Sequence, residues 1–563
     1  MNSNIHNNDE SLEIYFAFVE IEPKPGQVII YVDENTWNDF GFRIHCHFTA
    51  KLHNSDKVIQ SGILFGFLPQ TDNVKSDKKV FEQDYSSLNN ALESRNVSRN
   101  EKISSKDMPK YFTLLPNIQA YRTLVSELGA DHTTNILSQL NDLVINKVRD
   151  SSQVWFEEVI KSKVFVLAFM RNSEPFFAFH NAASVLAGEG EENFEAISHE
   201  LDLTFKLDGF TNQHEVKFRF GSTQGNLIPK RINILIGENG LGKSQVLNQF
   251  CRSALRYSGT EDNLIDVRSS IKRPMINRLL AIGTPGETTN TFPGERIKTQ
   301  KIYYRRLNLT RKASGSASKR VGETLVQLAR NDEEIGGRER WDLFWGSLSK
   351  VMAVGELVIG LKKDNQYGRE YVNLEALRNR EGEQHVLELW GNINPNAEPK
   401  IKFNDKYYPL SSGQLTFFKF ALLCCLHIEN GSFVLMDEPE THLHPNLIAD
   451  FVELLDHILE HTGSQAIIAT HSAYFVKEVP RAQVHVFKGD ADGGIFIESP
   501  RLRTFGSDVD SISQYVFGED SESRLTDKLF NLVKDRSFES VDKELSGEIS
   551  LAALMDIRRR MEK

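Results

Sequence analysis

Ile232-Asn-Ile-Leu-Ile-Gly237-Glu-Asn239-Gly240-Leu-Gly242-Lys243-Ser244-Gln-Val-Leu-Asn-Gln-Phe250 is the stretch from which the rest of the chain can be read. Its apolar, β-branched start predicts a buried strand, its glycines a tight turn, and the residues from Lys243 onward a helix. Glycines let the backbone curl until several N–H groups face one anion, and the helix adds its partial positive N-terminus. Strand, glycine-rich loop and helix in this order match the Walker A pattern. Gly237, Asn239, Gly240 and Gly242 would wrap the phosphates of ATP. Lys243 would reach the β- and γ-phosphates, and the Ser244 hydroxyl would ligate Mg2+.

Further along, Phe433-Val-Leu-Met-Asp437-Glu438-Pro439 is an apolar run that delivers two adjacent carboxylates at its end. Asp437 suits the Mg2+ shell, as a Walker B residue, and Glu438 suits polarisation of an attacking water. Before it stands Leu410-Ser411-Ser412-Gly413-Gln414, opening the helical run LTFFKFALLCCLHI. After it, Ile467-Ile-Ala-Thr470-His471-Ser472 is another apolar strand ending in a histidine.

Together these motifs resemble the ABC-type ATPases, with Ser411–Gln414 similar to the LSGGQ signature. The resemblance implies that Ser411, Ser412, Gly413 and Gln414 face ATP held by a second copy of the chain, head to tail. It implies that His471 is the switch histidine, and Gln300 in KTQKIYY is a candidate for the Q-loop glutamine, although at irregular spacing. DEPETHLHPNL (437–447) is similar to the RecF, SMC and OLD side of the superfamily, where His442 and His444 take interface or ATP-site roles rather than binding a metal. LLAIGTPGETTNTFP (279–293), YYPLSSGQ (407–414) and TFGSDVDSISQYVFGED (504–520) resemble the Septu-type (PtuA-like) antiviral ATPases, some of them carried by retron operons. That family implies a separately encoded HNH-type nuclease as partner. In retron versions it also implies a reverse transcriptase with its RNA–DNA product.

Two other readings stand beside this one: a RecF- or SMC-like ATPase acting directly on DNA, and an OLD-type nuclease. The OLD reading needs a TOPRIM domain with clustered carboxylates for metal ions. Asp508-Val-Asp510 is the sole plausible Asp-x-Asp, lies in a polar turn, and has little chain around it, so no nuclease activity is expected here.

The composition sets the outer bounds. With 563 residues, 40% apolar and 25% charged, the chain calls for two or three structural units of ordinary globular character. Its longest apolar runs, such as ALLCCL (421–426), fall far short of the roughly 18–20 residues of a membrane span. The first residues have no signal-peptide pattern, and four cysteines with one adjacent pair read as thiols in a reducing compartment, so a cytoplasmic location is expected. The net charge of −11 excludes a surface that is basic all over. Basic residues cluster in 298–320, either as a solvated loop or as a phosphate-backbone contact. His45-Cys46-His47 reads as structural, because on a strand Cys46 points away from both histidines.

The expected architecture is α/β: an ABC-type head with a helical insertion, preceded by a mixed β/α region. Residues 1–195 form that accessory region, with strands over 12–68, a loop or linker over 69–110, and helices over 111–195. Residues 196–305 carry the phosphate loop, 306–400 a helical insertion, 401–500 the second ATPase lobe, and 501–563 a helical tail.

Overall fold

The computed structural model describes residues 11–561 apart from 34–40, 54–56, 69–84, 151–153, 188–196, 208–211, 222–227, 229, 261, 271, 284–289, 296–301, 310–319, 365–366, 379–382, 490–493, 518–523 and 546. Seven strands make the central sheet: β1 (Ile232–Gly237), β2 (Arg278–Gly283), β3 (Tyr303–Asn308), β4 (Phe433–Asp437), β5 (Gln465–Thr470), β6 (Val484–Gly489) and β7 (Ile495–Glu498). Their spatial order is β3-β2-β4-β5-β1-β6-β7, parallel except for the antiparallel β7 at one edge.

Alternating residues of one strand enter different cores, and this explains the unbroken apolar runs. Ile232, Ile234 and Ile236 pack into one core with Met436 and Ile468, while Leu235 packs into the other with Leu435 and Ile467. A sheet covered on both faces has no side on which polar residues could alternate. One cover is α1 (Lys243–Ala254), helped by the antiparallel strands Glu200–Lys206 and Gln213–Arg219. The other holds α2 (Ser412–His427) and α3 (Ile448–Thr462), with helices from the 306–400 segment. The fold is therefore α/β, as expected.

The N-terminal region builds its own core. Its six-stranded sheet takes Glu13–Ala17, Gln27–Val32, His45–Lys51, Val58–Phe67, Lys102–Ser104 and Tyr111–Leu114. Helices between Ile118 and Leu186 share its core, with Phe169 packed against Phe112 of the sheet. Where described, the expected linker over 69–110 is in fact structured, since Leu88–Ser94 is a helix and Lys102–Ser104 an edge strand. Cys46 is buried, with His45 and His47 on the opposite, half-buried parity.

The 306–400 segment is not purely helical either. Leu357–Gly360, Tyr371–Asn373 and Lys400–Phe403 join Lys406–Pro409 in a four-stranded sheet. Strands of three or four residues are shorter than the window in which periodicity registers. Residues 509–517, 524–533, 538–545 and 551–561 are helices. No helix among the described residues is long and apolar enough to cross a membrane.

Candidate nucleotide site

The strand order brings three strand ends together. β1 lies next to β5, and β5 next to β4, so Gly237, Asp437 and His471 emerge at one edge of the sheet. Gly237 runs so close to β6 that a Cβ on it would meet the Phe487 carbonyl at 2.6 Å. Gly242 caps α1 at φ 85°, left-handed backbone that other residues adopt only at a cost. Between them, Glu238, Asn239 and Gly240 form the exposed crest of the loop.

Lys243 is buried at the first turn of α1, and its ammonium donates to the carbonyls of Gly237 and Glu238, both at 2.9 Å. Burial lowers its pKa to about 8, against the opposing pull of Glu438, Asp437 and Glu440. Ser244 Oγ donates to Asp437 Oδ1 at 3.0 Å. A hydroxyl and a carboxylate in contact are the hard oxygen donors that Mg2+ prefers, so the residues present fit that ion.

Glu438 follows β4 at φ 46°, ψ 54°, a left-handed conformation for a non-glycine residue. That turn separates the two carboxylates: Asp437 points to Ser244, and Glu438 Oε1 lies 3.1 Å from His471 Nε2. His471 Nδ1 lies 3.4 Å from Lys243 Nζ. An ammonium only donates, so Nδ1 accepts and the proton sits on Nε2, facing Glu438.

Two residues the sequence reading passed over complete the cluster. Thr291 Oγ1 donates to Asp437 Oδ2 at 2.5 Å and is itself buried. Glu440 Oε1 accepts from Thr470 Oγ1 and from the His471 amide, both at 2.7 Å, which fixes where the histidine starts. Burial pushes the Glu440 carboxyl up. Both residues lie inside the stretches quoted above for their resemblance, but neither sits at a position of the motifs.

Ser411–Gln414 form a separate surface. Ser411 is the N-cap of α2: its Oγ accepts from the Gln414 amide at 3.3 Å, and Gln414 Oε1 accepts from the Ser411 amide at 3.0 Å. This capping box leaves the hydroxyl proton of Ser411 to donate outward. Ser412 is exposed at the first helical position. Gly413 is buried, and a Cβ there would meet the Cδ1 of Leu447 at 2.3 Å, the end of a side chain that can turn aside.

The remaining expectations divide. Gln300 lies outside the described residues, as does most of the basic stretch. Within that stretch Arg305 pairs with Glu295 at 3.1 Å and Arg306 donates to the Phe292 carbonyl. His442 ends the short turn Pro439–His442. Elsewhere, His457, Glu460 and His461 bring ligand atoms within 4.8 Å of one another. Arg231 already holds Glu460 at 3.0 Å, and Lys350 and Arg338 add positive charge beside His457, so the group suits a cation poorly.

Against known proteins, residues 396–477 match a family profile described as "AAA domain, putative AbiEii toxin, Type IV TA system". Protein ea59 of Escherichia phage lambda is 24% identical over 539 residues, covering 92% of this chain and 91% of that one. Among solved structures, an SMC head bound to the C-terminal winged-helix domain of ScpA overlays 54% of this chain and 98% of its own, at 12% identity and TM-score 0.28. The SMC head of Thermotoga maritima covers 54% and 99%, at 11% identity and TM-score 0.26. Scores this low add nothing to what the sheet order already shows. The stretch 396–477, which holds Ser411–Gln414, Asp437, Glu438 and His471, is thus similar to an AAA-type ATPase domain.

Proposed function

We propose that the chain is a Mg2+-dependent ATPase that works as a head-to-tail dimer and regulates a partner nuclease of the HNH type in antiviral defence. The observation that carries the ATPase reading is the hydrogen-bonded cluster Ser244–Asp437 and Lys243–His471–Glu438, assembled from three strand ends. Lys243 and the loop amides would bind the phosphates, while Ser244 and Asp437 would hold Mg2+, which when bound offsets charge on the transferred phosphoryl group. Glu438, oriented by the His471 Nε2 proton, is placed to accept a proton from water.

The dimer reading is supported by the position of the signature. Ser411 and Ser412 are exposed at a helix N-terminus while their own chain's cluster is built from other elements. The regulatory reading is supported by the large N-terminal region, which supplies none of the cluster's residues. Asp508 accepts from the Ser511 amide at 3.1 Å, the geometry of a helix cap rather than of a metal ligand. The toxin-type description of the matched profile and a phage-encoded relative across nine-tenths of the chain both support a role in conflict between phage and host. Retron versions would add a reverse transcriptase and its RNA–DNA product as partners.

Lys243→Ala is expected to abolish ATP binding. Glu438→Gln is expected to keep it and cut turnover by about 10²-fold or more. Wild-type turnover in Glu438→Gln would remove Glu438 as the base. Purification of the chain with its genomic neighbours tests the partner: an HNH protein should co-purify, whereas tight DNA binding by the chain alone would favour the reading as a RecF- or SMC-like ATPase acting directly on DNA.

A further inference from the structure

Far from the nucleotide cluster, α2 ends and β4 begins at one buried ionic junction. Glu429, between the two elements, is 2% exposed. Its Oε1 accepts from Arg122 Nη1 at 3.0 Å, and its Oε2 from Arg340 Nη2 at 3.2 Å. Arg340 is 1% exposed and also donates to the carbonyls of Cys425 and Ile428, in the last turn and C-cap of α2. Carbonyls at a helix end have no partner in the helix, and a cation there also suits the helix dipole. Burial by itself would push the Glu429 carboxyl up, but Arg122, Arg340 and Arg278 outweigh it and hold the group at about 2.

The two arginines come from different parts of the chain. Arg122 lies on Ile118–Leu128 of the N-terminal region, and Arg340 opens the helix Arg340–Ser349 of the 306–400 segment. Arg122 also donates to the Glu334 carbonyl, so the two segments touch each other at Glu429. Further bonds reinforce the junction: Asn277 Nδ2 donates to the Asn430 carbonyl at 2.9 Å, and Ser173 Oγ donates to the Asn277 carbonyl at 2.8 Å.

From this junction α2 runs about 24 Å to its exposed N-terminus at Ser411, by the rise of a helix of its length. β4 runs about 17 Å to Asp437, by the rise of a strand of its length. The signature surface and the strand-end carboxylates thus share one anchor, and both accessory segments grip it.

We propose that Glu429, Arg122 and Arg340 are positioning residues for ATP turnover, which make the placement of the signature helix and of β4 depend on the N-terminal region and on the 306–400 segment. The inference rests on the ATPase reading above. A partner that moves either segment would act on turnover through this contact without touching the nucleotide.

The test uses Arg122→Met in the full chain, which removes the N-terminal region's ion pair to Glu429, together with the bond to the Glu334 carbonyl, and leaves Glu429 paired with Arg340. Binding of a fluorescent ATP analogue gives the number of intact sites, and turnover is expressed per site. Affinity should stay within about twofold of wild type while kcat falls at least about fivefold, and Arg122→Lys should recover part of the loss. A contact that only supports the fold would reduce the number of sites and leave kcat per site unchanged, and that result overturns the proposal. Arg340→Met, cutting the second grip, should show the same split. If the wild-type chain binds ATP without turning it over, the ATPase reading fails and this inference falls with it. If the wild type turns ATP over and both methionine variants match it per site, only the inference fails.

Discussion

Strand β4 runs between two charged regions of opposite character. At its start, Glu429 is fully buried and answered by two guanidiniums, so the charge is spent inside the protein. At its end, Asp437, Glu438 and Glu440 crowd around one buried lysine and one histidine. There the side chains are held by hydroxyls, amides and an imidazole, and Glu438 is strained into left-handed backbone. Charge that is fully paired costs dearly to disturb, and charge that is loosely held is available to a ligand. The same strand therefore has a structural end and a chemical end.

The largest effect on stability should come from the structural end. Glu429→Met takes from buried Arg122 and Arg340 the carboxylate they share, leaving Arg340 only its pair with Glu333, and should cost about 3–5 kcal/mol in urea unfolding. Asp437→Asn, at the other end, should shift stability far less while sharply weakening Mg2+-dependent ATP binding. Equal destabilisation by the two would erase the distinction.

Acid should separate the ends as well. Glu429 has a folded pKa depressed to about 2, so its contribution is complete above the unfolded value of 4.5 and is lost as pH falls between them. Unfolding of the wild type below that value should take up protons that a Glu429→Gln variant does not, measurable as a shallower dependence of its midpoint on pH. At the chemical end the window lies on the alkaline side. Lys243 titrates near 8, and phosphate binding favours its charged form, so ATP affinity should decline as pH rises past that value. Calorimetry in two buffers of different ionisation enthalpy should then show more proton uptake on binding at higher pH. Uptake that does not change with pH would mean that Lys243 stays charged throughout.

The smallest effect belongs to the signature. Ser411→Ala removes the cap of α2 and should cost about 1 kcal/mol of stability. In the dimer reading it should also slow turnover by more than that loss explains.

Much of the chemical end was legible in the sequence because its parts are local. Gly237 to Ser244 are contiguous, and Asp437–Glu438 and His471 each close an apolar run. Thr291 and Glu440 were hidden because nothing in their neighbours announces a bond to a residue far along the chain or on the next strand. The structural end was hidden more deeply. Arg122 and Glu429 are 307 positions apart, and each alone looks like an ordinary surface charge. The short strands within 306–409, and the edge strand Lys102–Ser104, were lost for a different reason, having too few residues to show a period.

By itself the sequence determined the glycine-rich loop between β1 and α1, the strand-end carboxylates and the helix that Ser411 caps, since each depends on the conformational preferences of consecutive residues. Only the tertiary structure decided that Glu438 turns to His471 while Asp437 turns to Ser244, that Glu440 seats the histidine, and that one buried glutamate ties both accessory segments to the far end of the same strand. These depend on sheet order and on burial. Side chains distant in the chain come within hydrogen-bond reach only when the strands and helices carrying them pack, and a charge is costly to leave unpaired only once water has been excluded from it.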